Sequence, residues 1–213
     1  MASYYPVFLD LSGRRCVIIG GGLIAEGKVR NLLDHTGSIT LVSPTATPQL
    51  AEWAQQGKIV WRPRKYQPGD LVDAFLAIAA TDDTEVNRTI AAEAEAQKVL
   101  LNVVDYTPLC VFIAPSVVKR GNVTVAISTG GASPALARKL RETLDGSEIL
   151  DYAELAPLLS RARQEVKSQG LQVSPDRWQH HINIDLIRMV REGREDEALV
   201  KLLGGLSSTD GVR

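Results

Sequence analysis

The stretch "CVIIGGGLIAEGKVRNLL", residues 16–33, constrains this chain more than any other. An apolar run leads into three consecutive glycines, and a helix-like pattern follows at once. Read as strand, turn and helix, it fits Gly20-x-Gly22-x-x-Ala25. Each position has a task. Gly20 permits the tight turn out of the strand, Gly22 lets a pyrophosphate approach bare backbone, and Ala25 lets the helix pack close to the strand. Free N–H groups at the helix start and the helix dipole then favour the anion. The same glycines also suit a plain turn with no ligand, so their setting decides the reading.

That setting is a run of alternating strands and helices. "RCVIIG" (15–20), "SITLVS" (38–43), "KIVWRP" (58–63), "AFLAIAAT" (74–81) and "VLLNVVD" (99–105) are short apolar runs that predict five strands. Between them, 23–35, 48–57 and 83–98 carry helical patterns, the first with Ile24, Val29, Leu32 and Leu33 on one side. Strands apolar throughout and separated by helices indicate a parallel sheet covered on both faces. A strand–glycine turn–helix in the first βαβ unit of such a sheet predicts a dinucleotide site of Rossmann type.

The second half reads differently. "SVVKRGNVTVAIST" (116–129) has two β-rich arms around Arg120-Gly121-Asn122, the pattern of a hairpin. "GGASPALARKLRETL" (130–144) starts a helix, with Ser133 as N-cap and Pro134 in the first turn. From Glu148 the chain reads as helical. Leu150, Leu155, Leu158, Leu159, Ala162 and Val166 form one stripe, and "SPDRWQHHINIDLIRMVREG" and "EDEALVKLLGGL" follow before a frayed tail, "SSTDGVR". The expected division is 1–113 as a nucleotide-binding α/β domain, 114–147 as a small hairpin and helix unit, and 148–213 as a helical domain.

Ligands in open parallel sheets sit beyond the carboxyl ends of the strands. Ser43, Pro44, Thr81, Asp82, Asn102 and Asp105 all fall there. The fingerprint's acid about 20 positions beyond the glycines, which takes the ribose hydroxyls, is replaced by Ser43. No Arg stands there to meet a 2′-phosphate, which favours NAD over NADP. Thr81 and Asp82 face the nucleotide region, although Asp82 or Asp83 also suits a helix N-cap. A carboxylate at Asp105 can serve as a base or stabilise positive charge in a substrate losing hydride, or it can be a solvated loop acid. In "STGGASPALARKLRE" backbone N–H groups and Arg138, Lys139 and Arg141 can hold anions, or form a hinge before a solvated helix.

Composition narrows the remaining classes. With 24 basic and 25 acidic residues the net charge is −1, which argues against nucleic-acid or membrane-surface binding through bulk charge. No apolar run approaches the ~20 residues that span a bilayer. "MASYYPVFLDL" lacks the form of a signal peptide. Cys16 and Cys110 make neither a disulfide framework nor a metal spacing, so a reducing cytoplasm is the expected home. His35, His180 and His181 show no i, i+4 metal pair, and no metal site is expected.

"YPVFLDLSGRRCVIIGGGLIAEGKVRNLL", "LAIAATDDTEVN", "NVVDYTPLCVFIAPS" and "VAISTGGASPALARKLRE", in that order, resemble the precorrin-2 dehydrogenase family, which includes the N-terminal half of fused sirohaem synthases. The likeness covers residues 4 to about 145. It implies a Rossmann-type domain, a dimerising middle unit and a helical C-terminal domain, assembled as a homodimer. The implied reaction is NAD-dependent oxidation of precorrin-2 to sirohydrochlorin, and some members also insert ferrous iron. The family's essential aspartate falls on Asp105. Its nucleotide contacts fall near Gly22, Leu23, Ile24, Ser43, Pro44 and Thr81, to which the glycine-turn and strand-end readings above add Gly20 and Asp82. With the strand-end and turn reading above, the expected substrate contacts are Asn102, Ser128, Thr129, Gly130, Gly131, Ser133 and Arg138. The alternative is a nucleotide-sensing regulatory module, which shares the glycine turn and the "ATDD" helix but does not need Asp105 or "STGGASP".

Overall fold

In a computed structural model, which describes residues 4–208, the alternating pattern of the first half closes into one sheet. Its elements are β1 (Cys16–Ile19), α1 (Leu23–Leu33), β2 (Ile39–Val42), α2 (Pro48–Gln55), β3 (Val60–Arg62), β4 (Leu76–Ala79), α3 (Thr84–Gln97) and β5 (Leu100–Val103). All neighbours pair in parallel, in the order β3-β2-β1-β4-β5. The strands are one to two residues shorter at their ends than their apolar runs, because the flanking residues turn into loops.

Side chains of β1 alternate between two cores. Cys16 and Ile18 pack with Ala25, Val29 and Leu32 of α1 and with Leu50 and Trp53 of α2. Val17 and Ile19 pack on the other face with Ile90 and Ala94 of α3. Burial on both faces is why β1 and β4 are apolar at every position. Burial also raises the Cys16 thiol to a pKa of about 11.

No helix joins β3 to β4. The connection is held by two acids instead, the buried Asp70 and the half-buried Glu93. Asp70 accepts from Arg62 (2.8 Å), Arg64 (2.7 Å) and the Gln67 N–H (2.9 Å). Glu93 of α3 accepts from the N–H groups of Gly69 and Leu71, both at 3.0 Å, and from the Tyr66 hydroxyl. Burial alone would raise the Asp70 pKa. The hydrogen bonds from Arg64, Gln67 and Arg62 outweigh it and hold the carboxyl down at about 2.

The chain divides into two compact units, Met1–Ala114 and Pro115–Arg213. In the second, β6 (Ser116–Arg120) and β7 (Val123–Ile127) form the antiparallel hairpin, with Val118 opposite Val125. α4 (Pro134–Asp145) packs on it, and Arg120 pairs with Asp145 at 2.8 Å. A 3-10 segment, Glu148–Leu155, leads into α5 (Ala156–Ser168), α6 (Pro175–His181), α7 (Ile184–Arg191) and α8 (Glu195–Ser207). Leu155, Leu158, Ala162, Ile187, Leu202 and Leu206 make their shared core. The stretch beginning "SPDRWQHH" is two helices, because Asn183 leaves helical geometry and caps α7 through Leu186 N–H. His35 lies just past α1, whose C-cap is Asp34. The tail from residue 209 on lies outside the described residues. Among these, no helix is long and apolar enough to cross a membrane.

Because the folded pKa of Asp70 lies below its ordinary 3.8, its contribution is present above about pH 4 and is lost as pH falls towards 2. The stability gap between the parent and Asp70→Asn therefore shrinks by about 2 kcal/mol over that interval. Denaturant unfolding at stepped pH checks this, and a constant gap contradicts it.

Candidate functional site

The sheet order reverses at β1: β2 lies on one side and β4 on the other. The loops leaving β1, β2, β4 and β5 therefore share the carboxyl edge at a topological switch point, where open α/β sheets take their ligands.

The glycine turn is clamped from two sides. Gly20 has φ 113°, a conformation that L side chains rarely adopt, and a Cβ there would stand 2.2 Å from the Ala80 carbonyl oxygen. A Cβ on Gly21 would stand 1.9 Å from the Thr45 carbonyl oxygen and 2.7 Å from the Ser43 Oγ. Thr47 N–H donates to the Gly21 carbonyl at 3.0 Å. Gly21 filled an unconstrained place in the motif, so its need for glycine comes from the second-strand loop and not from the fingerprint.

Gly22 is the opposite case. Nothing lies within 4 Å of where its Cβ would be. It is the N-cap of α1 and offers no side-chain cap. No side-chain cap takes the first-turn N–H groups of α1, and helix N-termini left free in this way receive phosphates. One carboxylate, Glu26, sits in that first turn, but it is engaged sideways. Thr47 Oγ1 donates to it at 2.7 Å and Arg30 pairs with it at 2.7 Å. Leu23 and Ile24 are 79% and 52% exposed beside the opening. This corrects the helix stripe: Ile24 is not a core residue, and the fully buried Ala25 takes the core-facing place.

Ser43 is only 5% exposed. Its carbonyl accepts from Trp61 Nε1 at 2.9 Å, and its hydroxyl faces the Gly21 turn. Pro44 and Thr45 are exposed. After β4, Thr81 Oγ1 accepts from Asp83 N–H at 3.2 Å, and the Thr81 carbonyl accepts from Asn87 Nδ2 at 3.0 Å. Asp83 caps α3 through Glu85 and Val86, which leaves the exposed Asp82 free of capping duty. The buried Asn87, whose Oδ1 has no hydrogen-bond partner, is a holding residue that helix periodicity gave no reason to single out.

Asp105 lies two residues past β5, in a turn closed by Tyr106 N–H donating to the Val103 carbonyl at 3.3 Å. Its φ is 58°, left-handed and uncommon outside glycine. Its carboxylate is exposed, and no described residue bonds to it. Asn102 is placed otherwise than expected. It is buried, with Nδ2 donating to the Phe112 carbonyl at 3.0 Å and lying 3.6 Å from Cys110 Sγ.

The other expected contacts lie in the second unit. There Thr129 Oγ1 accepts from Ser133 N–H at 3.0 Å and donates to the Ser133 carbonyl at 3.1 Å. Ser128 Oγ accepts from Gly130 N–H at 3.1 Å, and Ser133 Oγ caps α4 through Leu136 N–H at 3.2 Å. Gly130 and Gly131 have φ of 62° and 87°, as the tight loop requires. Arg138 pairs with Glu142 at 2.8 Å on the exposed face of α4. Among the described residues, no three His, Cys, Asp or Glu side chains gather as metal ligands.

The family model described as "Putative NAD(P)-binding" matches residues 7–116, and that of the sirohaem biosynthesis protein central region matches 120–147. The chain is 36% identical over 197 residues to a sirohaem synthase of Nitrosococcus oceani, covering 92% of this chain and 42% of the relative. It is 43% identical over 165 residues to that of Methylobacillus flagellatus, covering 77% and 35%. It therefore spans less than half the length of these curated relatives. A solved structure of "SirC, precorrin-2 dehydrogenase" superposes with a TM-score of 0.73 at 28% identity, covering 93% of this chain and 98% of that one.

The two inner glycines are expected to fail differently. Gly21→Ala destabilises the fold by about 2 kcal/mol or more, because backbone must move to admit a methyl group. Gly22→Ala leaves stability within about 1 kcal/mol but weakens nicotinamide-cofactor binding about tenfold or more. Thermal melts beside cofactor titrations check this, and equal behaviour of the two variants contradicts it.

Proposed function

The chain belongs to the precorrin-2 dehydrogenase family, and on that premise we propose that it oxidises precorrin-2 to sirohydrochlorin with NAD. The observation that carries the reading is a pairing on one sheet edge: an open helix N-terminus at Gly22 and an unpartnered carboxylate at Asp105. Gly20 and Asp105 follow strands two places apart in the order β1-β4-β5. At the usual strand spacing that is roughly 10 Å along the edge.

Bound NAD supplies the chemistry of hydride acceptance. Gly22 and the first turn of α1 hold its pyrophosphate, while Ser43 and Pro44 border its ribose. Leu23 and Ile24 offer apolar cover, and Thr81 and Asp82 line the β4 loop. Oxidation removes a hydride and one further proton from precorrin-2, and an Asp105 carboxylate oxygen takes that proton and returns it to water. Ser128, Thr129, Gly130, Gly131, Ser133 and Arg138 are proposed to meet the carboxylates of the macrocycle. The Arg138–Glu142 pair is solvent-exposed and weakly held, so the guanidinium is available for exchange.

NAD is proposed over NADP because the loop Ser43–Thr47 carries no cation, and nearby Arg62 and Arg64 are engaged by Asp70. The working form is proposed to be a homodimer through the hairpin unit, whose Val117, Leu136 and Leu140 are exposed. A monomer in sedimentation at micromolar concentration argues against it.

Mixed with precorrin-2 and NAD, the protein is expected to form NADH and sirohydrochlorin in equal amounts, followed by absorbance. NAD binding without turnover overturns the dehydrogenase reading in favour of a sensor module.

A further inference from the structure

We propose that Cys110 and Asn102 are positioning residues, which together hold the turn that presents the Asp105 carboxylate. The inference rests on the reading of Asp105 as the proton acceptor.

β5 is an edge strand. Its even-numbered positions bond inward, as when Leu100 N–H donates to the Phe75 carbonyl at 3.1 Å, and Val104 just past the strand does the same to the Ala79 carbonyl of β4 at 2.9 Å. Its odd-numbered positions, Leu101 and Val103, point their backbone groups outward, where no strand lies. The chain returning from Asp105 fills that edge. Val111 N–H donates to the Leu101 carbonyl at 2.8 Å. Val103 N–H donates to Cys110 Sγ at 3.2 Å.

The sulfur is a donor as well. It lies 3.2 Å from the Val103 carbonyl and 3.5 Å from the Tyr106 carbonyl, and its single S–H serves one of them at a time. One thiol therefore touches both residues that flank the turn. Burial raises the Cys110 pKa despite the Val103 N–H, so the proton needed for donation is kept. Asn102 closes the base of the same loop through Phe112.

Such a clasp has a physical purpose. A non-glycine residue held left-handed costs about 1 kcal/mol or more, and persists where its surroundings over-determine it. Asp105 has φ 58° and no side-chain bond of its own to hold it. Without the clasp the turn relaxes and the carboxylate swings away from the substrate. Errors of about 1 Å at a reacting group cost up to about a hundredfold in rate.

The test is steady-state kinetics of the full chain with precorrin-2 and NAD, with NAD binding measured separately. Cys110→Ala is expected to lower kcat about thirtyfold while KM for precorrin-2 and Kd for NAD stay within about twofold. Cys110→Ser, whose hydroxyl can both accept and donate, is expected to return kcat to within about threefold of the parent. Asn102→Ala shows the same selective loss in kcat. A kcat unchanged in Cys110→Ala overturns the proposal, as does a serine variant as slow as the alanine one. A raised KM with unchanged kcat in Asn102→Ala makes that residue a substrate contact and removes it from the clasp. Should the alanine variant at 110 not be recovered, Cys110→Val keeps the volume without the hydrogen bonds and carries the same expectation. A parent that binds NAD without turnover defeats the functional reading itself, and that result is visible before any variant is made.

Discussion

Everything at the carboxyl edge of the sheet depends on a steric condition at two residues. Ala80 and Thr45 carbonyl oxygens press on the chain at Gly20 and Gly21 so closely that no side chain fits. That contact draws the ends of β4 and β2 against the turn after β1. It also lets α1 begin at once, with Gly22 as an N-cap that offers no side chain. A bulkier turn would push the three loops apart, and the anion-receiving end of the helix would no longer sit at the switch point.

The edge strand β5 poses the opposite problem. It has outward backbone groups and no strand to pair with them, a liability that proteins cover with loops or charges. Here the cover is the loop that carries Asp105. Edge protection and presentation of the carboxylate are therefore one structural device. It accounts for the buried carboxamide of Asn102, where the sequence suggests a substrate contact, and for the half-buried Cys110 thiol beside it.

Much of this was legible from residue order. Apolar runs doubly buried by helices mark the parallel strands, and the glycine motif with Ala25 marks the first βαβ unit. Ser133 was readable as the α4 cap from the Ser-Pro pair. What stayed hidden depends on contacts distant in the chain. Gly21 is constrained by Thr45 and Ser43, 24 and 22 positions away. Asn102 looks like a rim residue until Phe112 returns beside it. Ile24 fits a helical stripe by spacing, yet it lies exposed at the helix start. The left-handed backbone of Asp105 leaves no local mark, since aspartate tolerates but does not require it. The break at Asn183 is a capping event inside an otherwise continuous helical pattern.

The central claim is a division of labour on one edge, with the glycine turn holding the nucleotide and Asp105 moving the proton. Asp105→Asn separates the two most directly, because asparagine keeps the left-handed turn and cannot accept the proton. Calorimetric NAD titration beside precorrin-2 turnover is the measurement. The account predicts NAD affinity within about twofold of the parent and turnover lowered by about a hundredfold or more. Turnover retained in Asp105→Asn, or lost together with NAD binding, would contradict it.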